Sequence, residues 1–267
     1  MRYSNLHTHT SFSDGLHTVE ENILSAIEKN MISLGISDHS YTSFDLRYCM
    51  RIVNIPAYIR EVRRLQEKYA DRIQVYLGLE YDGYTKLDNR EQYDYVIGDC
   101  HYLKIGNDYY SVDHKKEEQK ETMDRYFGGD SLAYSKAYFD TYVSRIKAIK
   151  PDILGHFDLV TKYNQIDEFS DDYKKMATEA LIACLETTPI LEMNTGAIAR
   201  KLRTEQFPGT ALLKETVEHG GRILLASDSH DKANLTFYFD ESVELLKTIG
   251  CKSIIILNNG KFEEVGI

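Results

Sequence analysis

The chain has no tryptophan, four prolines and four cysteines among its 267 residues, and each of these shortages restricts what it can be. The cysteines lie far apart and form no Cys-x-x-Cys pair, which argues against a zinc ribbon and favours free thiols in a reducing compartment. They are Cys49, Cys100, Cys184 and Cys251. The first ten residues, MRYSNLHTHT, lack the apolar run of a signal peptide, and no later stretch approaches membrane-spanning length. We therefore expect a cytoplasmic protein with no membrane partner.

The chain also has fewer basic than acidic residues: 32 lysines and arginines and 42 aspartates and glutamates, which give a net charge of -10. A protein that binds nucleic acid through its backbone normally carries a basic surface, so we expect no nucleic-acid partner. A small anionic substrate is still compatible with this charge, because bound metal ions reverse the field locally. The sequence contains no repeat, low-complexity tract or linker rich in proline, glycine and serine. Residues 1–267 are therefore predicted to form a single domain.

Short apolar runs alternate with longer amphipathic stretches, a pattern typical of βα units in a parallel sheet or barrel. Strands are predicted at residues 2–6, 34–37, 74–79, 95–97, 152–154, 190–193, 222–226 and 253–257. Helices are predicted at residues 19–30, 56–69, 132–149, 171–186, 210–219 and 241–249. Thr18 and Glu21 form a capping-box pattern before the first helix, and Pro56 suits the first turn of the second. The polar residues 104–130 are predicted to form a surface excursion with one short helix beside a substrate pocket.

Six of the nine histidines follow the carboxyl end of a predicted strand. Several acidic residues occupy the same kind of position. In chain order these strand-end residues are His7, His9, Asp38, His39, Glu80, His101, His156, Glu192, Asn194, Asp228 and His230. In a (β/α) barrel all such positions open onto the face that carries the chemistry. The pattern therefore predicts one cluster of imidazoles and carboxylates on that face.

The spacing of His7 and His9 suits chelation, because side chains two residues apart on an extended chain point to the same side. Asp228 and His230 repeat this spacing. Imidazole and carboxylate ligands together favour zinc, manganese or iron over calcium. For any one of these residues a structural alternative remains, such as a turn at Asp14-Gly15 or a hydrogen-bonded histidine in the barrel. His17, His114 and His219 are predicted to be solvated.

The sequence resembles the polymerase-and-histidinol-phosphatase (PHP) family. The resemblance is carried, in the family's order, by His7-Thr-His9 with Ser13-Asp14-Gly15, by Ser37-Asp38-His39, by Gly-Leu-Glu80 with His101, by Leu-Gly-His156 and by Ser227-Asp228-Ser229-His230. It implies a distorted (β/α)7 barrel with a metal cluster at the C-terminal face of the strands. The last predicted strand, 253–257, is then either a barrel strand or an added edge.

The same resemblance implies two or three divalent ions, of zinc, manganese or iron, held by three sets of ligands. His7, His9, Glu80 and Asp228 form the first set, Glu80, His101 and His156 the second, and Asp14, His39 and His230 the third. Glu80 bridges two ions in this scheme. His17 is an alternative to Asp14 in the third set. The implied catalytic residues are Glu80, Asp228 and His230, of which Asp228 and His230 are candidates for donating a proton to the leaving group.

The segments around His101 and Asn194 are most similar to the monofunctional histidinol-phosphate phosphatase branch, where basic residues bind the substrate phosphate. Lys162, Arg200 and Arg203 occupy the corresponding region, although a solvated loop cation is the alternative for each. The resemblance thus implies hydrolysis of L-histidinol phosphate, a step of histidine biosynthesis, with a small phosphate ester as partner. Two other functions remain open: a PHP phosphoesterase acting on nucleotides or nucleoside phosphates, and a metal-binding module without catalysis. The sequence predicts no oligomeric state.

Overall fold

The structure is a computed structural model that describes residues 2–87 and 89–267. The strands within these ranges are β1 Ser4–Asn5, β2 Ser33–Ile36, β3 Gln74–Leu77, β4 Glu80–Tyr81, β5 Ile97–Gly98, β6 Tyr102–Ile105, β7 Asp108–Ser111, β8 Ile153–Leu154, β9 Ile190–Asn194, β10 Arg222–Ala226, β11 Ser253–Asn258 and β12 Lys261–Gly266. The helices are α1 Val19–Glu28, α2 Ile55–Lys68, α3 Lys116–Phe127, α4 Ser131–Ile149, α5 Asp171–Leu185, α6 Gly196–Ala199, α7 Thr210–Glu218 and α8 Phe239–Thr248. All eight predicted strands and all six predicted helices are confirmed, with shifts of a few residues at their ends.

The helices begin where their sequences provide caps. Thr18 accepts a hydrogen bond from the Glu21 amide at the start of α1, and the Glu21 carboxylate accepts one from the Thr18 amide, so the predicted capping box is present. Pro56 stands in the first turn of α2, where its missing amide hydrogen has no consequence. Asp130 accepts from the Leu132 and Ala133 amides and thereby starts α4.

The parallel strands close into a distorted barrel. β1, β2 and β3 pair side by side, and β4 continues the path of β3 after a two-residue break. A bridge between His39 and Glu80 joins β4 to the end of β2, and β4 then pairs in turn with β5, β8, β9 and β10. A parallel bridge between Thr8 and Ser229 connects the end of β10 back to the end of β1. With β3 and β4 taken as one interrupted strand, the described residues form a distorted (β/α)7 barrel.

The strand β11 extends the sheet beyond the barrel. It pairs in parallel with β10 through Leu224 and Ile255, and it pairs antiparallel with β12, which forms the edge. The Leu257 carbonyl also accepts a hydrogen bond of 2.7 Å from the Ser33 hydroxyl of β2. Of the two alternatives left open for the last predicted strand, the structure therefore supports an addition at the edge of the sheet.

Side chains fill the inside of the barrel, and the helices cover its outside. The inner cluster consists of Leu6, Tyr76, Tyr95, Ile97, Ile153, Ile190, Leu224, Ala226, Ile255 and Leu257. Tyr95 is fully buried, and its hydroxyl donates to the Leu6 carbonyl. Gly35 and Gly78 leave room for this ring, because a Cβ at either position would lie less than 3 Å from it. Two larger clusters pack α1 and α2 on one side of the barrel, and α3, α4, α5, α7 and α8 on the other.

The excursion over residues 104–130 has more structure than predicted. The chain leaves His101 as the antiparallel hairpin β6–β7 and continues into α3, a helix of 12 residues where one short helix was predicted. The hairpin reverses at Gly106, where φ is +64°, a conformation that glycine adopts without strain. A second unpredicted strand, β12, follows the turn Asn259-Gly260, where both residues have positive φ. Among the described residues, no helix combines the length and apolar character needed to cross a bilayer.

Candidate metal centre

The nine residues predicted to bind metal come together at the C-terminal ends of the barrel strands. They follow β1 (His7, His9, Asp14), β2 (His39), β5 (His101), β8 (His156) and β10 (Asp228, His230), while Glu80 begins β4. Seven of them are at most 8% exposed, and Asp14 and His230 are half-buried at the surface of the cavity. The barrel therefore converts positions scattered over more than 220 residues into one buried cluster.

Glu80 is the centre of this cluster. Its carboxylate oxygens lie between 2.6 and 3.5 Å from a ring nitrogen of each of five imidazoles. These belong to His39, His156, His7, His9 and His101. A carboxylate in this position has two oxygens with which to hold two neighbouring ions, as a bridging ligand requires.

The ligand atoms form four groups in which all atoms lie within 4.8 Å of one another. The groups are His9, Asp14, His39 and His230; His7, Glu80 and His156; His7, His9 and Asp228; and His39, Glu80 and His101. The implied third set lies entirely within the first group. The implied second set is divided between two groups that share Glu80. His17 belongs to none of these groups and instead contacts Asp231 at 3.1 Å, so the position of Asp14 favours Asp14 over His17.

Several buried polar atoms of the cluster make no hydrogen bond of normal geometry. They include both ring nitrogens of His9, Nε2 of His7, Nδ1 of His39 and Oε2 of Glu80. Buried polar atoms in proteins are almost always hydrogen-bonded, so such a concentration of exceptions needs an explanation. Here the lone pairs of ring nitrogens and carboxylate oxygens point towards one another, and no hydrogen-bond donor lies between them. A bound metal ion would satisfy such lone pairs. The residues present therefore fit a cluster of divalent ions with imidazole and carboxylate ligands.

Electrostatic effects keep two members of the cluster, His9 and Glu80, in the forms that bind metal. Burial, reinforced by the neighbouring His230 and His39 imidazoles, lowers the pKa of His9 to about 3, which leaves its ring neutral. Burial alone would raise the pKa of Glu80. The His39 and His7 imidazoles outweigh this effect and hold the Glu80 pKa well below its usual range, so the carboxylate is ionised.

The loop between β1 and α1 is held in place by Asp38, the neighbour of the ligand His39. Asp38 is fully buried and accepts hydrogen bonds from the amide and the hydroxyl of both Thr10 and Ser13. These four bonds fix the turn that carries Asp14. The sequence placed Asp38 at a strand end among the metal-capable residues, but its contacts are with the loop.

A cavity of about 490 Å³ lies directly above the cluster. Lys162 and Arg200 line it, as predicted for residues that bind phosphate. The Lys162 ammonium donates to the carbonyl and the carboxylate of Asp113 at 2.8 and 2.9 Å. The Arg200 guanidinium donates to the Asp228 carboxylate at 2.9 Å.

The structure does not bring Arg203 to the cavity. Its guanidinium donates to Thr161 and, through two bonds of 2.9 Å, to the Glu168 carboxylate, and the residue is 7% exposed. Arg203 lies only three residues after Arg200, but the turn after α6 directs it to the other side of this segment. Its position is that of a structural ion pair and does not support the predicted contact with phosphate.

The cavity is also lined by residues to which the sequence analysis assigned no role in the site. Asp45 and Tyr48 come from the loop after β2, and Asp113 and His114 come from the excursion. His114 was predicted to be solvated, but it lines the cavity and contacts Arg47 at 3.2 Å. Loop residues of this kind have no spacing signal in a sequence, because their approach depends on how two separate segments pack.

Three buried carboxylates lie behind the ligands; Asp82 and Asp99 were not predicted as site residues, and Glu192 was predicted at a strand end without a ligand role. Glu192 contacts His7, Asp82 contacts His101 and Asp99 contacts His156, at 2.9, 2.9 and 3.2 Å. A signal existed for two of them. Asp82 stands two residues after Glu80 and Asp99 two residues before His101, which is the spacing of side chains on one face of an extended chain.

Comparison with known proteins agrees with this architecture. The family model described as PHP domain matches residues 5–196, which is more than half of the chain. The chain belongs to the PHP family. Residues beyond the matched range complete the cluster, because Arg200, Asp228 and His230 all follow residue 196.

The PHP relatives include two curated proteins that match over nearly their whole length. A protein of Deinococcus radiodurans named "Probable histidinol-phosphatase" is 26% identical over 93% of this chain and 94% of its own. The Histidinol-phosphatase of Lactococcus lactis subsp. lactis is 23% identical over 99% of this chain and 97% of its own. A solved structure of the histidinol phosphate phosphatase from the same Lactococcus, complexed with zinc, L-histidinol and phosphate, has a TM-score of 0.74 and 21% identity, covering 98% of this chain and 99% of that one. This PHP chain therefore has the same fold as that enzyme.

Proposed function

We propose that this PHP protein is a metal-dependent phosphomonoesterase that hydrolyses L-histidinol phosphate to L-histidinol and phosphate, a step of histidine biosynthesis. The observation that carries the proposal is the cavity in which Lys162 and Arg200 face a cluster of imidazoles and carboxylates around Glu80. The names of the curated relatives, which match nearly the full chain, support the choice of substrate.

Two or three ions of zinc, manganese or iron would occupy the cluster. His7, His9, Glu80 and Asp228 would hold one ion, Glu80, His101 and His156 a second, and Asp14, His39 and His230 a third. Zinc has the most direct support, since it is present in the Lactococcus structure. When bound, such ions supply activation of a water molecule at neutral pH and neutralisation of the phosphate charge.

The protein's own residues bind the substrate and orient it. Lys162 contributes a point charge and Arg200 a planar fork, so together they attract the phosphate and limit its rotation. Both cations are held by an acidic partner, Asp113 or Asp228, and are therefore preorganised at the cavity wall. Asp228 and His230 both line the cavity, and we assign the proton that the leaving alkoxide requires to His230. Burial raises the pKa of Asp228, but Arg200 and His7 outweigh this effect and hold it well below its usual range, so the Asp228 carboxylate has no proton to give.

We also infer that residues 1–267 act as one PHP barrel domain in the cytoplasm. The parallel bridge between Thr8 and Ser229 supports a single unit, since the barrel and its site are incomplete without either end of the chain. The four free cysteines support a reducing compartment.

A phosphate-release assay with the metal-loaded protein tests the function. L-histidinol phosphate should give a higher kcat/KM than nucleoside monophosphates or sugar phosphates, in keeping with the names of the curated relatives. A nucleotide with the higher kcat/KM would remove the histidinol assignment and leave a PHP phosphoesterase of different specificity. Absence of hydrolysis of every ester, with metal bound, would instead indicate a module without catalysis.

A further inference from the structure

Three ligand imidazoles are each held between two carboxylates. His7 places Nε2 3.3 Å from Glu80 and Nδ1 2.9 Å from Glu192. His101 places Nε2 3.5 Å from Glu80 and Nδ1 2.9 Å from Asp82.

His156 repeats the arrangement, with Nε2 2.9 Å from Glu80 and Nδ1 3.2 Å from Asp99. In all three rings the same nitrogen, Nε2, faces the centre of the cluster, and the same nitrogen, Nδ1, faces a carboxylate behind the ring. The three outer carboxylates come from different parts of the barrel, so the repetition does not follow from a single loop.

The outer carboxylates are buried without a basic partner. Asp82 is 2% exposed, and Asp99 and Glu192 are 0% exposed. Among residues 2–87 and 89–267, no lysine or arginine forms a salt bridge with any of them. An ionised carboxylate buried in this way is costly unless a hydrogen-bond donor satisfies it. The imidazole Nδ1–H is the donor that lies within reach in each case.

The surrounding backbone is built around these contacts. Asp82 accepts from the His101 amide as well as from its ring, so it fixes the residue at two points. Glu192 accepts from the His156 amide and from the Asn194 side chain, both at 2.7 Å, while its other oxygen contacts His7.

The position of the Asp99 side chain requires a glycine next to it. A Cβ on Gly155, the residue before His156, would lie 2.0 Å from Asp99 Oδ1. Both Asp99 oxygens and His156 Nδ1 make no hydrogen bond of normal geometry, although they lie 3.2 Å apart.

We propose that Asp82, Asp99 and Glu192 are positioning residues. Each one holds its imidazole as the Nδ1–H tautomer, so that the lone pairs on Nε2 of His101, His156 and His7 converge on the space around Glu80. A carboxylate behind a ligand histidine both orients the ring and increases its basicity towards the metal. The inference rests on the metal-binding part of the proposed function and is independent of the choice of substrate.

The first test measures zinc affinity of the metal-stripped protein by competition with a chromophoric chelator. Asp82→Ala and Asp99→Ala should weaken zinc binding at one class of site about 10- to 100-fold. Asp82→Asn and Asp99→Asn keep an oxygen acceptor behind the ring, so we expect them to recover part of the loss. Asp158→Ala is the matched control, because Asp158 is equally buried and contacts the Gly209 amide instead of an imidazole. It should lower thermal stability and leave zinc affinity unchanged.

The second test needs no variant and therefore does not depend on how each variant folds. Long-range ¹H–¹⁵N correlation spectra of the zinc-loaded protein, labelled at histidine, report which ring nitrogen carries the proton. His7, His101 and His156 should each show a protonated Nδ1. Protonation at Nε2 in these rings, or alanine variants with the zinc affinity of the unaltered protein, would overturn the positioning role alone. A chain that binds no zinc at all would overturn the proposed function as well.

Discussion

Glu80 differs from the other acidic residues of the cavity in that its carboxylate contacts five imidazoles, those of His7, His9, His39, His101 and His156. Lys162 stands further out, at the cavity wall, with Asp113 as its partner. The two residues therefore affect catalysis differently. In the proposed function, Glu80 would contribute to the formation of the reactive centre, whereas Lys162 would contribute to holding the phosphate.

We predict that Glu80→Gln lowers kcat by about 10²-fold or more, the scale on which a preorganised charged group acts. Lys162→Ala should mainly raise KM, because substrate at saturating concentration compensates for weaker attraction. Steady-state kinetics of both variants with L-histidinol phosphate provide the comparison. Similar kcat values for the two would contradict a bridging role for Glu80.

Arg200 and Arg203 form a natural pair for a second prediction, since one lines the cavity and the other does not. Arg200→Ala should raise KM about 10- to 100-fold for every phosphate ester, given the strength of charge-assisted hydrogen bonds. The ranking of the substrates by kcat/KM should stay nearly the same, because Arg200 is proposed to bind the phosphate group, which all of them contain. Some loss of kcat is also expected, since Arg200 holds the Asp228 carboxylate.

Arg203→Ala is the control for this measurement. It leaves Glu168 without its partner and should therefore lower the melting temperature while KM remains near that of the unaltered protein. An increase in KM for Arg203→Ala as large as that for Arg200→Ala would show that the side chain reaches the substrate after all.

At the scale of the elements, the strands and helices were predictable because their patterns are periodic and local. Short strands ending in histidine or an acid, such as those before His39 and His156, also identified which ends of the elements carry the site. The hairpin β6–β7 was not predicted, because its tyrosines and polar residues do not alternate in burial as a half-buried strand does. The strand β12 follows the turn Asn259-Gly260, and an Asn-Gly pair between two apolar runs is a local signal for a hairpin. The end of the sequence therefore contained a signal for β12 that the predicted strands did not include.

The contacts between elements could not be predicted from the sequence. Nothing local distinguishes Arg200 from Arg203, although one faces the cavity and the other an ion pair. Likewise, Asp99 directly follows β5, as other residues follow other strands, and its approach to His156 depends on the pairing of β5 with β8. Such relations arise only when the barrel closes.

Packing inside the barrel provides a prediction at this scale. A Cβ at Gly35 in β2 would lie 2.0 Å from the hydroxyl of the buried Tyr95. Gly35→Ala should therefore reduce the free energy of unfolding by about 1–3 kcal/mol, as overpacked cores do. Gly266→Ala in β12 is the control, because the nearest atom to its Cβ would be 3.9 Å away.

Denaturant unfolding of these variants measures the effect, and a double-mutant cycle with Tyr95→Phe identifies its cause. Removing the hydroxyl relieves part of the clash, so Gly35→Ala should be less destabilising in the Tyr95→Phe background. Equal effects in both backgrounds would show that the strain lies elsewhere.

For the whole molecule, we expect stability to depend on metal, because the buried cluster of imidazoles and carboxylates contains several polar atoms without hydrogen-bond partners. We predict that the purified protein contains more than one equivalent of transition metal and that removing it with a chelator lowers the melting temperature. A ligand that binds only the folded state at 100 times its Kd stabilises by about 2.7 kcal/mol. Elemental analysis and thermal scans with and without added zinc, manganese or iron measure both effects. Trace metal only, together with no thermal response to these ions, would exclude a resident cluster.

The bridge between Thr8 and Ser229 has a consequence for how the protein is made in the cell. His7 and His9 leave the ribosome early, but Asp228 is added more than two hundred residues later. During synthesis, which proceeds at about 5–20 residues per second, the first imidazoles therefore wait roughly ten seconds or more for their last partners. The ligand set of the cluster is consequently complete only after His230 has been added, and until then the nascent protein exposes an incomplete set of histidines to whichever metal ions the cell contains.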